Sequence, residues 1–263
     1  MTLVWKSGWN GLTEPEAVDY VAAVEAADGQ ELEFGVAKAI NDFVVGCKAD
    51  GIWNAIKASC ILAGARTLAG ALVPLVGTAP TNNNFVSADY DRETGLKGDG
   101  STKYLDSNRR PADDPQDNAH LSTYVTETSS NVTRHYIGAL TLAPASFSQI
   151  IDNNGNLNFS FNSVSGIPGG AGTGNAYTGL LGVNRSGSSL LEARFNGASI
   201  PGTYSSTSPN TLNYFVFCRN LNGSPNGISN RRHTFYSIGE SLDLALLDTR
   251  VSNLMTAIGA AIP

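Results

Sequence analysis

The sequence predicts a mainly β protein, a β-sandwich preceded by a short N-terminal helical region and closed by a C-terminal helix. Three observations point there. Apolar residues recur at helical spacing before residue 77 and again after residue 243. Between these stretches lie short runs of aliphatic, aromatic and β-branched residues, punctuated by Gly, Asn, Ser and Pro, with no helical pattern interleaved. The middle of the chain also draws its polarity from amides and hydroxyls. All six lysines (Lys6, Lys38, Lys48, Lys57, Lys97, Lys103) precede residue 104, and charged residues make up 15% of the chain, against roughly 25% in an average soluble domain.

The helical region begins at Thr13-Glu14-Pro15-Glu16, which has the pattern of a capping box with Pro in the first turn. This helix is expected to carry Val18, Val21 and Val24 and to stop near Asp28-Gly29. A second is expected from about Gln30, with Leu32, Val36, Ile40, Phe43 and Cys47 on one face and Gly46 near its end. A third is expected after Asp50 as N-cap, with Ile52, Trp53, Ile56 and Cys60 along one side. Leu68 to Val73 predicts a short fourth helix ending before Pro74. Such short, Ala-rich helices need a surface to pack against, either the rest of the chain or another subunit.

The texture changes at 77–84, so the division expected is a helical attachment and oligomerisation region, 1–76, and a β-sandwich with a C-terminal helix, 77–263. Strands are predicted at 121–127, 134–140, 157–161, 178–183, 190–195, 212–218 and 233–238. In the first, Leu121, Thr123 and Val125 alternate with Ser122, Tyr124 and Thr126, as in a half-buried strand. Residues 152–156 and 184–187 have the Asn and Gly content of hairpin turns. Ser241-Leu242-Asp243 is expected to cap a last helix carrying Leu246, Val251, Leu254, Met255 and Ile258.

Composition narrows the function. A net charge of -6 argues against nucleic acid as a main partner, since phosphate contacts need clustered Lys and Arg. No stretch has the roughly 20 apolar residues of a membrane span, and residues 1–12 carry no secretory-signal pattern. Three cysteines (Cys47, Cys60, Cys218) are too few and scattered for a disulfide framework and are expected to be buried thiols.

Several strings imitate chemical motifs. Gly239-Glu240-Ser241-Leu242 has the outline of a hydrolase nucleophile block, but it stands near the C-terminus with no histidine after it, so helix capping is expected. Residues 95–103 imitate a phosphate loop without its Gly-Lys step and are expected to turn into a strand at Tyr104-Leu105. Residues 169–174 miss the dinucleotide spacing and read as a loop. His120, His135 and His233 lack neighbouring ligands and are expected to be structural. The acidic run Asp113-Asp114-Pro115-Gln116-Asp117-Asn118 has calcium-type oxygens, with a solvated turn as the expected reading. Sequons at Asn131, Asn158, Asn184 and Asn222 carry no weight without a secretion signal. Carboxylates are sparse after Asp117, namely Glu127, Asp152, Glu192, Glu240, Asp243 and Asp248, so a glycoside-hydrolase pair is poorly supported. No catalytic, cofactor-binding or metal-binding residue is assigned, no cofactor is expected, and the chain is expected not to be an enzyme.

Three separated stretches carry a family resemblance: Lys48-Ala49-Asp50-Gly51-Ile52-Trp53, then Gly98-Asp99-Gly100-Ser101-Thr102-Lys103-Tyr104-Leu105-Asp106, then Phe235 to Leu242 before a helix. In this order they resemble a family of tailed-bacteriophage and prophage virion proteins. The resemblance covers roughly residues 30–263 and implies a concanavalin-like, lectin-type jelly-roll sandwich in a tail fibre, tail tip or baseplate. No site residue carries over from it. It implies a virion location, a homo-oligomer with a trimer favoured, partners among other tail or baseplate proteins, and a host-surface glycan as a further partner. A capsid decoration or head-fibre protein is one alternative. A polysaccharide-degrading tail enzyme, using carboxylates such as Glu192 and Asp152, is another.

Overall fold

A computed structural model describes residues 11–127, 133–169 and 177–263, and its first element begins where proline permits. Helix α1 (Pro15–Asp28) opens on Pro15, whose missing amide is not needed there, and ends at Gly29 with a left-handed φ of 69°. The expected capping box does not form. The cap comes from the next helix, where Asn41 Oδ1 accepts from the amides of Thr13 (2.7 Å) and Glu14 (3.1 Å). Glu16 instead meets Lys48 Nζ at 2.6 Å.

Helix α2 (Phe34–Ala49) buries Val36, Ile40, Phe43, Val44 and Cys47. Gly46 does not end it; a Cβ there would lie 2.7 Å from the Arg250 guanidinium, so the position is a close helix crossing. Asp50 closes α2 and receives Arg250 in a two-pronged pair at 2.6 and 2.8 Å. The third helix expected after Asp50 is replaced by a 3₁₀ turn at Trp53–Ala55 and strand β1 (Ile56–Ile61). The physical reason is burial on both faces. Ala58 and Cys60 enter the core between the sheets, while Ile56 and Ile61 lie under the helices. A run apolar on both faces carries no period that separates strand from helix.

After α3 (Leu68–Ala71) the chain runs through β2 (Pro74–Val76), β3 (Thr81–Asn83), β4 (Tyr90–Asp91), β5 (Gly95–Lys97) and β6 (Tyr104–Asp106). The longer strands follow: β7 (Ala119–Glu127), β8 (Arg134–Leu142), β9 (Ala145–Asn153), β10 (Asn156–Ser163), β11 (Ile167–Pro168), β12 (Gly179–Arg185), β13 (Leu190–Phe195) and β14 (Ala198–Thr203). The last are β15 (Phe215–Val216), β16 (Arg219–Leu221), β17 (Ser224–Asn226) and β18 (Arg232–Gly239), before α4 (Leu244–Ala261). Of the expected strand 212–218 only β15 forms, because Phe217 adopts a φ of 72° and turns the chain while its ring stacks on His233 at 4.2 Å.

Two sheets result. The first has the order β14-β13-β12-β7-β18-β1-β2, with β5 on β18 and β4 on β5. The second has the order β11-β10-β9-β8-β15-β6-β3, with β16 on β8 and β17 on β16. Every described pairing is antiparallel except β16 with β8. Strands β1 and β2 belong to the first sheet, so the stretch 1–76 that reads as helical contributes to the sandwich as well.

Leu121, Val183, Ala193 and Ile238 from the first sheet face Ile150, Phe159, Phe161 and Val216 from the second. The outer face of the first sheet is covered by α1, α2 and α4, where Leu180 and Phe235 join Phe43, Val44, Leu247 and Leu254 in a second core. Phe43 meets Phe235 edge-on at 5.8 Å between centroids. Each such apolar side chain contributes roughly 1.5–3 kcal/mol when fully buried. This layer also corrects the half-buried expectation for β7, where Ser122 and Thr123 are both fully enclosed.

Candidate functional site

The residues singled out from sequence are largely structural joints. Asp99 accepts from the amides of Ser101, Thr102 and Lys103 at 2.8, 2.8 and 3.1 Å and from the Thr102 hydroxyl. Burial opposes this, yet those hydrogen bonds hold its carboxyl well below the usual range. The 95–103 string is therefore a turn organised by an aspartate, leading into β6 as expected. Gly239 packs so tightly that a Cβ would lie 2.0 Å from the Ala55 carbonyl oxygen. Asp243 caps α4 by accepting from Ala245 and Leu246 amides at 2.8 and 3.1 Å. The three stretches behind the phage resemblance thus include joints between the helical layer and the sandwich.

The histidines do not converge. His120 Nδ1 lies 2.6 Å from the Glu240 carbonyl, so that nitrogen carries the proton, and Nε2 accepts from Ser237 at 2.8 Å. His233 Nδ1 lies 3.0 Å from Thr123 Oγ1, inside the sandwich. His135 is buried on the outer face of the second sheet. Desolvation pushes His120 down to about 4 and His135 and His233 down to about 3, so all three rings are neutral. In the acidic run, Asp113 pairs with Arg110 and Asp114 with Arg109, which turns both carboxylates onto arginine. No group of three or more His, Cys, Asp or Glu among the described residues is placed to hold a metal. The three cysteines are free and buried. The 169–174 string, Gly169 apart, and the sequon at Asn131 lie outside the described residues.

The two carboxylates named for an enzymatic alternative are separated by the fold. Asp152, on β9 in the second sheet, is fully enclosed and ion-paired to equally enclosed Arg231. Glu192, on β13 in the first sheet, opens on a groove of about 390 Å³. The register explains the groove. Asn184 of β12 faces Glu192, which faces Pro201 of β14, and Leu190 faces Thr203. The strip lies on the outer face near the sheet edge, beside the last helix. Asn184 Oδ1 accepts from the Leu242 amide at 3.1 Å and Arg194 reaches Asp248 of α4 at 2.9 Å, fixing the groove beside the last helix. Ser199 donates to Glu192 Oε1 at 3.2 Å, and the other carboxylate oxygen has no partner among the described residues.

The groove thus offers one open carboxylate acceptor, the hydroxyls of Ser186 and Thr203, and an apolar rim at Leu190, which is 55% exposed. An acceptor beside hydroxyls and a short apolar surface suits a polyol, whose ring presents hydroxyls at its edge and C–H groups on its face. Sequence reasoning reached Glu192 only as one scarce carboxylate; the register across three strands is what surrounds it.

No family model matches the chain, and no curated protein does. Solved structures are similar in fold. A mutant of Trypanosoma rangeli sialidase displaying trans-sialidase activity is 12% identical with a TM-score of 0.51, over 85% of this chain and 40% of that one. Trypanosoma rangeli sialidase in complex with sialic acid is 12% identical with a TM-score of 0.49, over 78% of this chain and 34% of that one. The binding domain of botulinum neurotoxin serotype D is 10% identical with a TM-score of 0.48, over 76% of this chain and 51% of that one. This chain therefore spans well under two thirds of each. At 12% identity the likeness to the first of these shows the fold alone, a lectin-like β-sandwich. The expectation that the chain is not an enzyme is withdrawn, because this fold also occurs in a mutant sialidase displaying trans-sialidase activity. None of these three structures is a phage protein, and no helix among the described residues is long and apolar enough to cross a membrane.

Proposed function

We propose that this chain is a virion component of a tailed bacteriophage, of tail-fibre or baseplate type, whose sandwich binds a host-surface glycan in the groove at Glu192. The observation that carries glycan binding is the groove itself, an open carboxylate with hydroxyls and an apolar rim in about 390 Å³. Pockets of this size with a few convergent polar groups hold small ligands. The virion assignment rests on the three ordered sequence stretches, and the helical layer is the surface through which copies of the chain, a trimer in this reading, would associate.

The experiment has two arms. Purified chain is titrated with host surface polysaccharide, and both retention and reducing-end release are scored, so that binding and cleavage are read together. Glu192→Gln is expected to weaken retention about 10-fold or more, as loss of a charge-assisted hydrogen bond does. Unchanged retention in the variant would remove the groove from the proposal. Labelled antibody on virions, with light scattering of the purified chain, tests location and stoichiometry; absence from virions together with a monomeric chain would sink the virion reading.

A further inference from the structure

We propose a second, separate site: Arg219, Gln149 and Asn226, on the outer face of the second sheet, form a receptor for an oxyanion, a carboxylate or sulfate group. Eight of the eleven arginines pair with a carboxylate among the described residues. Arg219 does not. Its partners are neutral: Nε donates to Asn226 Oδ1 at 3.0 Å and Nη1 to Gln149 Oε1 at 3.3 Å. The segments 1–10, 128–132 and 170–176 contain no Asp or Glu, so they supply no counter-ion either. A half-buried charge without a counter-ion is costly in a fold. Burial lowers the proton affinity of this guanidinium and no acid offsets the effect. The other two such arginines differ. Arg185 is fully enclosed and donates to the carbonyls of Phe161, Gly187 and Tyr204, and Arg134 follows the segment 128–132.

The strand register presents Arg219 to a ligand. Arg219 of β16 faces Gly138 of β8, and Gly138 faces Gln149 of β9. The guanidinium reaches across β8 at its one residue without a side chain; a Cβ at Gly138 would already lie 2.5 Å from Gln149 Cβ. Both amides must turn their carbonyl oxygens to the guanidinium, because its nitrogens only donate. That leaves the NH2 groups of Gln149 and Asn226 facing away from Arg219, and neither donates to an acceptor among the described residues. With Arg219 Nη2 they make a cluster of donors carrying one positive charge and no acceptor of its own. A planar guanidinium flanked by amide donors suits an oxyanion better than any neutral or cationic group. His135, on the same face and 2% exposed, is kept neutral by burial and by the charge of Arg219. The site lies on the opposite sheet from the Glu192 groove and does not depend on it.

The full chain is titrated with sodium acetate and with sodium sulfate at constant ionic strength, balanced with sodium chloride, and the Arg219 side-chain N–H and the Gln149 and Asn226 amide NMR signals are followed. Saturable shifts confined to these signals are expected. Arg219→Gln should weaken binding about 10–100-fold, the worth of a hydrogen bond to a charged group. Gln149→Glu supplies the missing counter-ion within the chain, so it should abolish binding while melting no lower than the wild type. A wild type without a saturable response, or equal responses in wild type and both variants, would overturn the proposal. Polygalacturonate and heparin against neutral dextran identify the source of the anion. Tighter binding of an acidic polymer than of its monomeric anion assigns the site to an acidic glycan, and equal binding per anion assigns it to a free small anion.

Discussion

Replacing Asp152 with Asn breaks the one fully enclosed ion pair among the described residues. Asp152 and Arg231 are both at 0% side-chain exposure. Arg231 Nε and Nη1 have no hydrogen-bond partner among the described residues, and its guanidinium lies 5.1 Å from the Tyr136 ring centroid. Asn keeps the Oδ1 acceptor that holds the Gly155 amide at 2.7 Å in the β9–β10 turn, so the hairpin survives the change. What is lost is the counter-charge together with the Oδ2 acceptor of Arg231 Nη2, leaving a buried guanidinium uncompensated at a cost of about 3–5 kcal/mol. For a chain of this size each kcal/mol moves the midpoint about 2–4 °C, so thermal unfolding followed by circular dichroism should fall about 6–20 °C. The double variant Asp152→Asn with Arg231→Met removes both charges and should recover to within about 1–2 kcal/mol of the wild type. A loss under about 2 °C for the single variant, or a double variant as unstable as the sum of the singles, would refute this account of the pair.

Acid should destabilise the fold through its histidines. With folded values of about 4 for His120 and about 3 for His135 and His233, against an ordinary value near 6.5, the unfolded chain takes up these protons first. Stability is then full above about pH 6.5 and falls below it by up to about 1.4 kcal/mol per pH unit for each histidine, until the folded values are reached. Superimposable urea curves at pH 7 and pH 5 would contradict this. Burial pushes the Cys47 and Cys60 thiols up to about 12 and raises Cys218 further, so a thiol reagent should modify none of the three in the native state and all three after unfolding. Asp243→Ala removes both cap hydrogen bonds at the start of α4 and should cost about 1 kcal/mol, read as a lower urea midpoint with an unchanged slope.

Elements with a local chemical cause are legible in the sequence. Gly29 ends α1, Asp243 starts α4, and β7, β8, β10, β12, β13 and β18 fall on their predicted runs because alternation and turn residues bound them. Elements defined by what lies above and below them are not. Strand β1 reads as a helix because both its faces are apolar, and β9 is missed because Ser146, Ser148 and Gln149 interrupt its apolar run. Of the candidate sites, Glu192 is visible only as a carboxylate among few, and Arg219 carries no motif at all.

By itself, then, the sequence determined a helical start, a low-charge β middle and a capped last helix, since periodicity, caps and turns act within a few residues. Only the tertiary structure decided which carboxylates are available. Asp152 is closed inside the sandwich on Arg231, and Glu192 opens on a groove. It also decided that Arg219 reaches across Gly138 without a counter-ion. The physical reason is that burial and charge pairing depend on register between strands far apart in the chain, which no local pattern encodes.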